Sequence, residues 1–177
     1  RTKRYPQRRV TYYEPAFTHE LRNRDELMRK LRDGLDQGEI EIGFQAQVDL
    51  ADDAIAGLEV LARWRHGGQI LPAKAFLAAL ESYDLAPRIG LTVLEQLSKA
   101  YAGMRAMGVI PPTIFLNVSR QELENVAYLE ALEAFVKRPE VIRGTIALEM
   151  HEDIRERLTP HVRTTLDALE EDEGDRK

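Results

Sequence analysis

The most constraining stretch of this sequence is an apolar run that carries one acid and one base, from Gly57 to His66. Its valine, leucine and tryptophan residues favour a strand over a helix. Side chains alternate along a strand, so Glu59 and Arg63 point to the same face. A carboxylate in such a run must be paired, metal-bound or at the wet end of the strand, because burying it alone is costly. The stretch therefore predicts either a Glu59–Arg63 contact or a functional site.

Composition places the chain among soluble globular proteins with room for one ordinary domain. It has 177 residues, of which 44% are hydrophobic and 31% are charged, enough for a sizeable core. The net charge of −5 argues against a nucleic-acid partner. The absence of cysteine excludes disulfides, thiolate zinc sites and a cysteine nucleophile. No apolar run is long enough for a membrane span and no signal peptide is visible, so we expect a cytoplasmic location.

The order of predicted elements indicates an α/β fold. Strands are predicted over residues 40–50, 55–66, 113–119 and 145–152, and helices over residues 20–36, 73–83, 86–107, 123–136 and 155–169. The first two strands are joined by a very short turn and should pair antiparallel. The later alternation of strands and helices implies a parallel sheet covered by helices. In such folds, ligands collect at the carboxyl ends of the strands.

The two ends of the chain differ from this pattern. Residues 1–19 are basic and aromatic, with a short strand predicted over residues 10–13. Such a patch is one way to bind nucleic acid, but so short a stretch is more typical of a linker or of the tail of a preceding domain. Residues 170–177 form a charged tail with nothing to bury. The folded part is therefore expected over residues 20–169.

Three polar residues lie on successive predicted strands, two of them near a strand end. Glu59 lies in the second strand, Asn117 near the end of the third and Glu149 near the end of the fourth. Taken singly, an asparagine at a strand end is more often a turn cap than a ligand. Together, carboxylate and amide oxygens suit a hard cation such as magnesium, manganese or calcium. The pattern predicts that the three side chains converge at one rim of the sheet.

Four ordered motifs resemble those of the EAL domain family of bacterial cyclic di-GMP phosphodiesterases, which act in signal transduction. Phe44-Gln45-Ala46-Gln47 looks like the family's Tyr-Gln-Pro segment. The run from Glu59 to His66 is similar to its Glu-Ala-Leu-Leu-Arg-Trp-Arg-His signature, with Val60 in place of the first alanine. Asn117-Val118-Ser119 matches the family's Asn-Val-Ser motif, and Leu148-Glu149-Met150-His151-Glu152 is similar to Leu-Glu-Ile-Thr-Glu. The resemblance covers residues 20–169.

The resemblance implies a partial TIM-like (β/α)8 barrel of EAL type, about its first half, whose first strand is antiparallel. It implies that Glu59, Asn117 and Glu149 bind a divalent metal, Mg2+ or Mn2+, with Ca2+ as an inhibitory substitute. It implies that Gln45 and Arg63 face cyclic di-GMP, with Arg63 near a phosphate.

The same resemblance implies which reaction the domain catalyses and which domains accompany it. The family reaction is metal-assisted hydrolysis of one phosphodiester, which gives linear pGpG. Glu59 would be catalytic through the metal, and Glu152 would correspond to the acid that supports a nearby catalytic loop. Residues 1–19 look like the tail of a GGDEF (diguanylate cyclase) domain, so a GGDEF or sensor domain is the expected partner in a longer parent.

The departures from the family concern the second half of its barrel. The family's Asp-Asp-Phe-Gly-Thr-Gly segment, which would hold a second metal, and its later lysine have no counterpart in this sequence. We therefore expect this chain to be inactive by itself. The alternative is a degenerate module that binds cyclic di-GMP or a protein without catalysis. An unpaired fourth strand is an aggregation hazard, which predicts either pairing with another chain or a second copy, or that this sequence is a piece of a longer protein.

Overall fold

The computed structural model describes residues 15–51, 53–76, 85–152, 154, 158–160, 162–163 and 166. The elements follow one another as α1 (Pro15–Asp36), β1 (Ile40–Val48), β2 (Ile55–His66), β3 (Gln69–Pro72), a 3₁₀ helix (Ala73–Ala75), α2 (Ala86–Ala106), β4 (Thr113–Asn117), α3 (Arg120–Leu123), α4 (Val126–Val136) and β5 (Ile146–Glu149). The tails at residues 1–14 and 170–177, the predicted strand over residues 10–13 and most of the predicted helices over residues 73–83 and 155–169 lie outside the described residues.

The sheet has the expected mixed topology. Its strand order is β1-β2-β4-β5, with β3 pairing only with β2. β1 is antiparallel to β2, whereas β2, β4 and β5 are parallel. The antiparallel first strand and the parallel sheet after it are therefore confirmed. Within the described residues, β1 and β5 each have a strand neighbour on one side only.

Several predicted bounds change for local reasons. α1 begins at Pro15 rather than at residue 20, because proline suits the first turn of a helix. β3 was not predicted; it follows a two-residue turn at Gly67-Gly68, where both glycines have positive φ, as tight hairpins require. The predicted helix over residues 123–136 corresponds to α4, which begins three residues later, where the Asn125 side chain caps it. The short helix α3 before it was not predicted.

The core lies between the sheet and the helices that cover one of its faces. From β2 and β4 it takes Val60, Trp64, Ile114 and Leu116, all at most 3% exposed. α2 contributes an apolar stripe that includes Leu97 and Tyr101. The buried Tyr101 hydroxyl accepts from the Ile142 amide at 3.0 Å and bonds Thr145 Oγ1 at 2.9 Å, so burial leaves it satisfied. In the part of the chain that the structure describes, no helix is both long and apolar enough to cross a bilayer.

Candidate metal and phosphate site

Four adjacent strands bring candidate residues to the face of the sheet opposite the core. Gln45 is the register partner of Glu59, and Asn117 is the register partner of Glu149. Partners on paired strands point to the same face. The Asn117 amide Nδ2 donates to Glu59 Oε1 at 2.6 Å. Gln45 and Asn117 are exposed, and both glutamates are half-buried. Of the three residues predicted to converge, Asn117 contacts Glu59, and Glu149 lies level with Asn117 on the neighbouring strand.

The end of β4 is fixed by its neighbours on both sides. The Val118 amide donates to the Glu149 carbonyl at 2.9 Å, which carries the β4–β5 ladder one residue past Asn117. Ser119 then caps α3 in a capping box, in which the Ser119 amide donates to Glu122 Oε2 at 2.6 Å. Burial raises the pKa of the Glu122 carboxyl, against the smaller effect of its bonds from Ser119. The helix cap at Ser119 ends the strand, so that β4 stops at Asn117, two residues before the predicted end.

Arg63 lies on the same face, four residues beyond Glu59. A Cβ built on Gly43 would lie 3.7 Å from Arg63 Cγ and 3.8 Å from its Nε, so the arginine side chain lies over this glycine. Gly43 is the register partner of Leu61, which lies two residues before Arg63 on β2. The Arg63 side chain therefore extends along the sheet toward the level of Gln45. Its Nη1 donates to the Ala62 carbonyl at 3.1 Å. Glu59 and Arg63 are both described and form no ion pair with each other: Glu59 accepts from Asn117, and Arg63 donates to Ala62. Because a guanidinium has five N–H donors, most donors of Arg63 remain able to bind a ligand.

The donor set fits one hard cation. Glu59 and Glu149 offer carboxylate oxygens, and a half-turn of the Asn117 amide would present its oxygen where its nitrogen now meets Glu59. Oxygen donors of this kind suit magnesium, manganese or calcium. Among the described residues, no group of three His, Cys, Asp or Glu side chains is placed to hold a metal. A site here would therefore need the asparagine as its third protein ligand.

Gly43 and β3 are features of the site that were not predicted, whereas the predicted residue Glu152 lies away from the other candidate residues. Gly43 lies under the Arg63 side chain, which an added Cβ would only touch at van der Waals distance; a glycine inside a strand is the signal that would have pointed to this close approach. Pro72 of β3 is the register partner of Arg63, so β3 runs along β2 just beyond the level of Asn117. Glu152 lies three residues beyond the end of β5 and is exposed.

Comparison with known proteins agrees with this architecture. The model of the EAL domain matches residues 28–172. The chain therefore belongs to the EAL domain family. The protein Rv1357c of Mycobacterium tuberculosis (strain H37Rv) is 30% identical over 139 residues, which are 77% of this chain and 45% of that protein. The cyclic di-GMP phosphodiesterase RocR of Pseudomonas aeruginosa is 29% identical over 120 residues, or 67% of this chain and 30% of that one.

Solved structures show the same fold at low identity. The PaMucR phosphodiesterase in a c-di-GMP complex has a TM-score of 0.71 at 21% identity, covering 82% of this chain and 59% of that one. The Xanthomonas citri FimX EAL domain in complex with c-diGMP has a TM-score of 0.71 at 14% identity, covering 86% and 60%. This chain thus adopts part of the TIM-like EAL barrel, and it spans less than half the length of the curated relatives described above.

Proposed function

We propose that this chain is the ligand-binding half of a metal-dependent cyclic di-GMP phosphodiesterase domain, whose complete form hydrolyses the dinucleotide to pGpG. The observation that carries the proposal is the contact between Asn117 and Glu59 on one sheet face, with Glu149 beside Asn117 in register. RocR bears the name of such an enzyme, and the PaMucR and FimX structures contain the dinucleotide. A bacterial signalling role in the cytoplasm belongs to the same proposal.

Each residue has a distinct task in this proposal. Glu59, Asn117 and Glu149 would hold the cation, Mg2+ or Mn2+ in turnover and Ca2+ as the inhibitory substitute. Arg63 would bind a phosphate of cyclic di-GMP, since a guanidinium forms paired, charge-assisted hydrogen bonds to phosphate oxygens. Gln45, level with Glu59, would donate and accept hydrogen bonds along the same ligand.

A bound cation would supply polarisation of the phosphate and acidification of a bound water. The two glutamates would balance its charge and fix its place beside Arg63. Glu152, beyond β5, would support the catalytic loop from outside the metal shell. A GGDEF or sensor domain is the proposed partner in a longer parent; one solved relative of similar fold is the Vibrio cholerae LapD S helix-GGDEF-EAL protein.

The second candidate is a module that binds the dinucleotide without hydrolysing it. One sequence observation favours it: no counterpart of the family's second-metal Asp pair or later lysine occurs in these 177 residues. Two-metal hydrolysis needs ligands for both ions. We therefore propose that the 177-residue chain binds cyclic di-GMP without turnover.

Calorimetric titration with cyclic di-GMP, with and without Ca2+, tests the proposal. We expect Ca2+-dependent binding by the unaltered chain and its loss in Glu59→Gln, which removes the charge and keeps the shape. Glu130→Gln, an exposed glutamate of α4, is the matched control and should bind as the unaltered chain does. Absence of binding in every condition would overturn the proposal, and pGpG formation in Mn2+ would overturn the second candidate.

A further inference from the structure

Glu122 is a half-buried carboxylate to which the proposed function gives no task. It lies in α3, shortly after the end of β4 at Asn117. Its Oε2 accepts from the Ser119 amide at 2.6 Å and also from the Ser119 hydroxyl. The Ser119 Oγ in turn accepts from the Glu122 amide at 3.4 Å. Glu122 therefore holds Ser119 through both its main chain and its side chain.

The second oxygen of this carboxylate is confined by α2 and α4. A Cβ built on Gly90 of α2 would overlap Glu122 Oε1 and lie 2.7 Å from Cε2 of Tyr128 in α4. Any side chain at this position would thus displace the carboxylate or the ring. Gly90 and Tyr128 are both buried. Glycine lowers the stability of a helix interior, and room for Glu122 is a physical reason for a glycine at this place.

The main chain that carries Asn117 is held on both sides. The Val118 amide donates to the Glu149 carbonyl of β5 at 2.9 Å, and the Val118 side chain is buried. The next residue, Ser119, is held by the capping box. These contacts fix the position from which the Asn117 amide meets Glu59 Oε1 at 2.6 Å.

We propose that Glu122 is a positioning residue for the metal site. It acts through Ser119 and directs the Asn117 side chain toward Glu59, without itself binding the cation. The inference rests on the proposed function, in which Asn117 is a metal ligand. Replacing a residue that orients a metal ligand typically lowers metal affinity about 10- to 100-fold. A change at Glu122 should therefore be measurable as a change in the requirement for Ca2+.

Three variants of the full 177-residue chain separate positioning from charge and from stability. Glu122→Ala should raise the Ca2+ concentration needed for half-maximal cyclic di-GMP binding about tenfold or more. Glu122→Gln removes the charge but keeps an oxygen that caps the helix, so it should need nearly the same Ca2+ concentration as the unaltered chain. Asn125→Ala is the matched control, because the Asn125 side chain caps α4 by accepting from the Tyr128 amide at 3.0 Å. It loses a comparable cap and should leave the Ca2+ requirement unchanged.

The side-chain amide of Asn117 gives a second readout, by NMR, that needs neither Ca2+ nor nucleotide. In the unaltered chain its two protons should have distinct shifts, since one of them is donated to Glu59. We expect the same shifts in Glu122→Gln and in Asn125→Ala. In Glu122→Ala they should move toward those of an asparagine in water. Both measurements are made at a temperature where thermal melts show every variant to be folded.

Equal effects of Glu122→Ala and Asn125→Ala on the Ca2+ requirement would overturn the inference, because lost stability would then explain both. Equal effects of Glu122→Gln and Glu122→Ala would also overturn it, since charge would then be the cause. An unchanged Asn117 amide signal in Glu122→Ala would do the same. If the unaltered chain binds no cyclic di-GMP, the proposed function fails, whereas the Asn117 signal still supports or overturns positioning by Glu122.

Discussion

The indole Nε1 of Trp64 donates to Glu39 Oε2 at 2.9 Å, which ties the core-facing side of β2 to the residue before β1. The Trp64 side chain is fully buried, so this bond satisfies a donor that water cannot reach. His66 stacks on Trp64 with ring centroids 4.5 Å apart, and its Nδ1 lies 3.2 Å from the same carboxylate oxygen. Glu39 thus holds the two aromatic side chains nearest the end of β2.

Acidification should loosen this contact. The hydrogen bonds from Trp64 and then His66 hold the pKa of Glu39 below its ordinary value of 4.5. Because the folded pKa is depressed, the stabilisation is fully present above pH 4.5 and is lost as pH falls through the folded pKa. We expect the urea midpoint of Glu39→Gln to depend less on pH below 4.5 than that of the unaltered chain. Equal pH dependence in the two proteins would contradict the assignment.

The charge of Glu122 should destabilise the folded chain as pH rises, which is opposite to the effect of Glu39. Its raised pKa means that burial disfavours the charged form, so its cost to stability grows as pH rises from its ordinary value through the folded pKa. Glu122→Gln keeps a capping-box side chain without the charge, and we expect it to be more stable than the unaltered chain at neutral pH. Glu122→Ala should lose about 1 kcal/mol with the cap. Thermal melts at acid and neutral pH measure the stability of both variants. A Glu122→Gln variant that is less stable than the unaltered chain at neutral pH would contradict the cost assigned to the buried charge.

Gly57 should tolerate no side chain. A Cβ there would overlap the Phe115 ring and lie 2.6 Å from the Thr113 carbonyl oxygen. We expect Gly57→Ala to cost about 1–3 kcal/mol, as overpacking commonly does, and chemical denaturation measures it. Gly103→Ala is the control: Gly103 lies within α2 and nothing is within 4 Å of its added Cβ. That change should instead stabilise by about 0.5–1 kcal/mol through helix propensity.

Two arginines of β2 allow the effect of a specific phosphate contact on binding to be distinguished from the effect of net charge. Arg63 carries the proposed phosphate bond, whereas Arg65 is exposed and its Nη2 pairs with Glu41 at 2.7 Å. We expect Arg63→Ala to weaken cyclic di-GMP binding roughly tenfold or more, the size of a lost charge-assisted hydrogen bond. Arg65→Ala removes the same charge and should change affinity far less. Titration calorimetry decides, and equal losses would mean that Arg63 acts through net charge alone.

Sequence reasoning succeeded where a local pattern determines the outcome. The bounds of β2 and, within a residue, of α2 follow from apolar periodicity, and the short turn before β2 implied its antiparallel pairing with β1. β3, which lies between β2 and the predicted helix over residues 73–83, was not predicted, although Gly67-Gly68 is a hairpin signal. β4 ends earlier than predicted because the Ser119–Glu122 capping box begins α3, a sequence signal that the predicted strand overlooked. Sheet pairing such as the Val118–Glu149 bond joins residues distant in sequence, which periodicity does not reveal.

The position of β2 has a consequence for ligand size. β2 is paired with β1 on one side, and with β4 and then β3 on the other. Its backbone therefore has little freedom to stretch or slide. At about 3.3 Å per residue, the Cα atoms of Glu59 and Arg63 are held roughly 13 Å apart. The strand therefore fixes where the two side chains start, and the lean of Arg63 over Gly43, toward the level of Gln45, shortens the span that a ligand touching both of them has to cover.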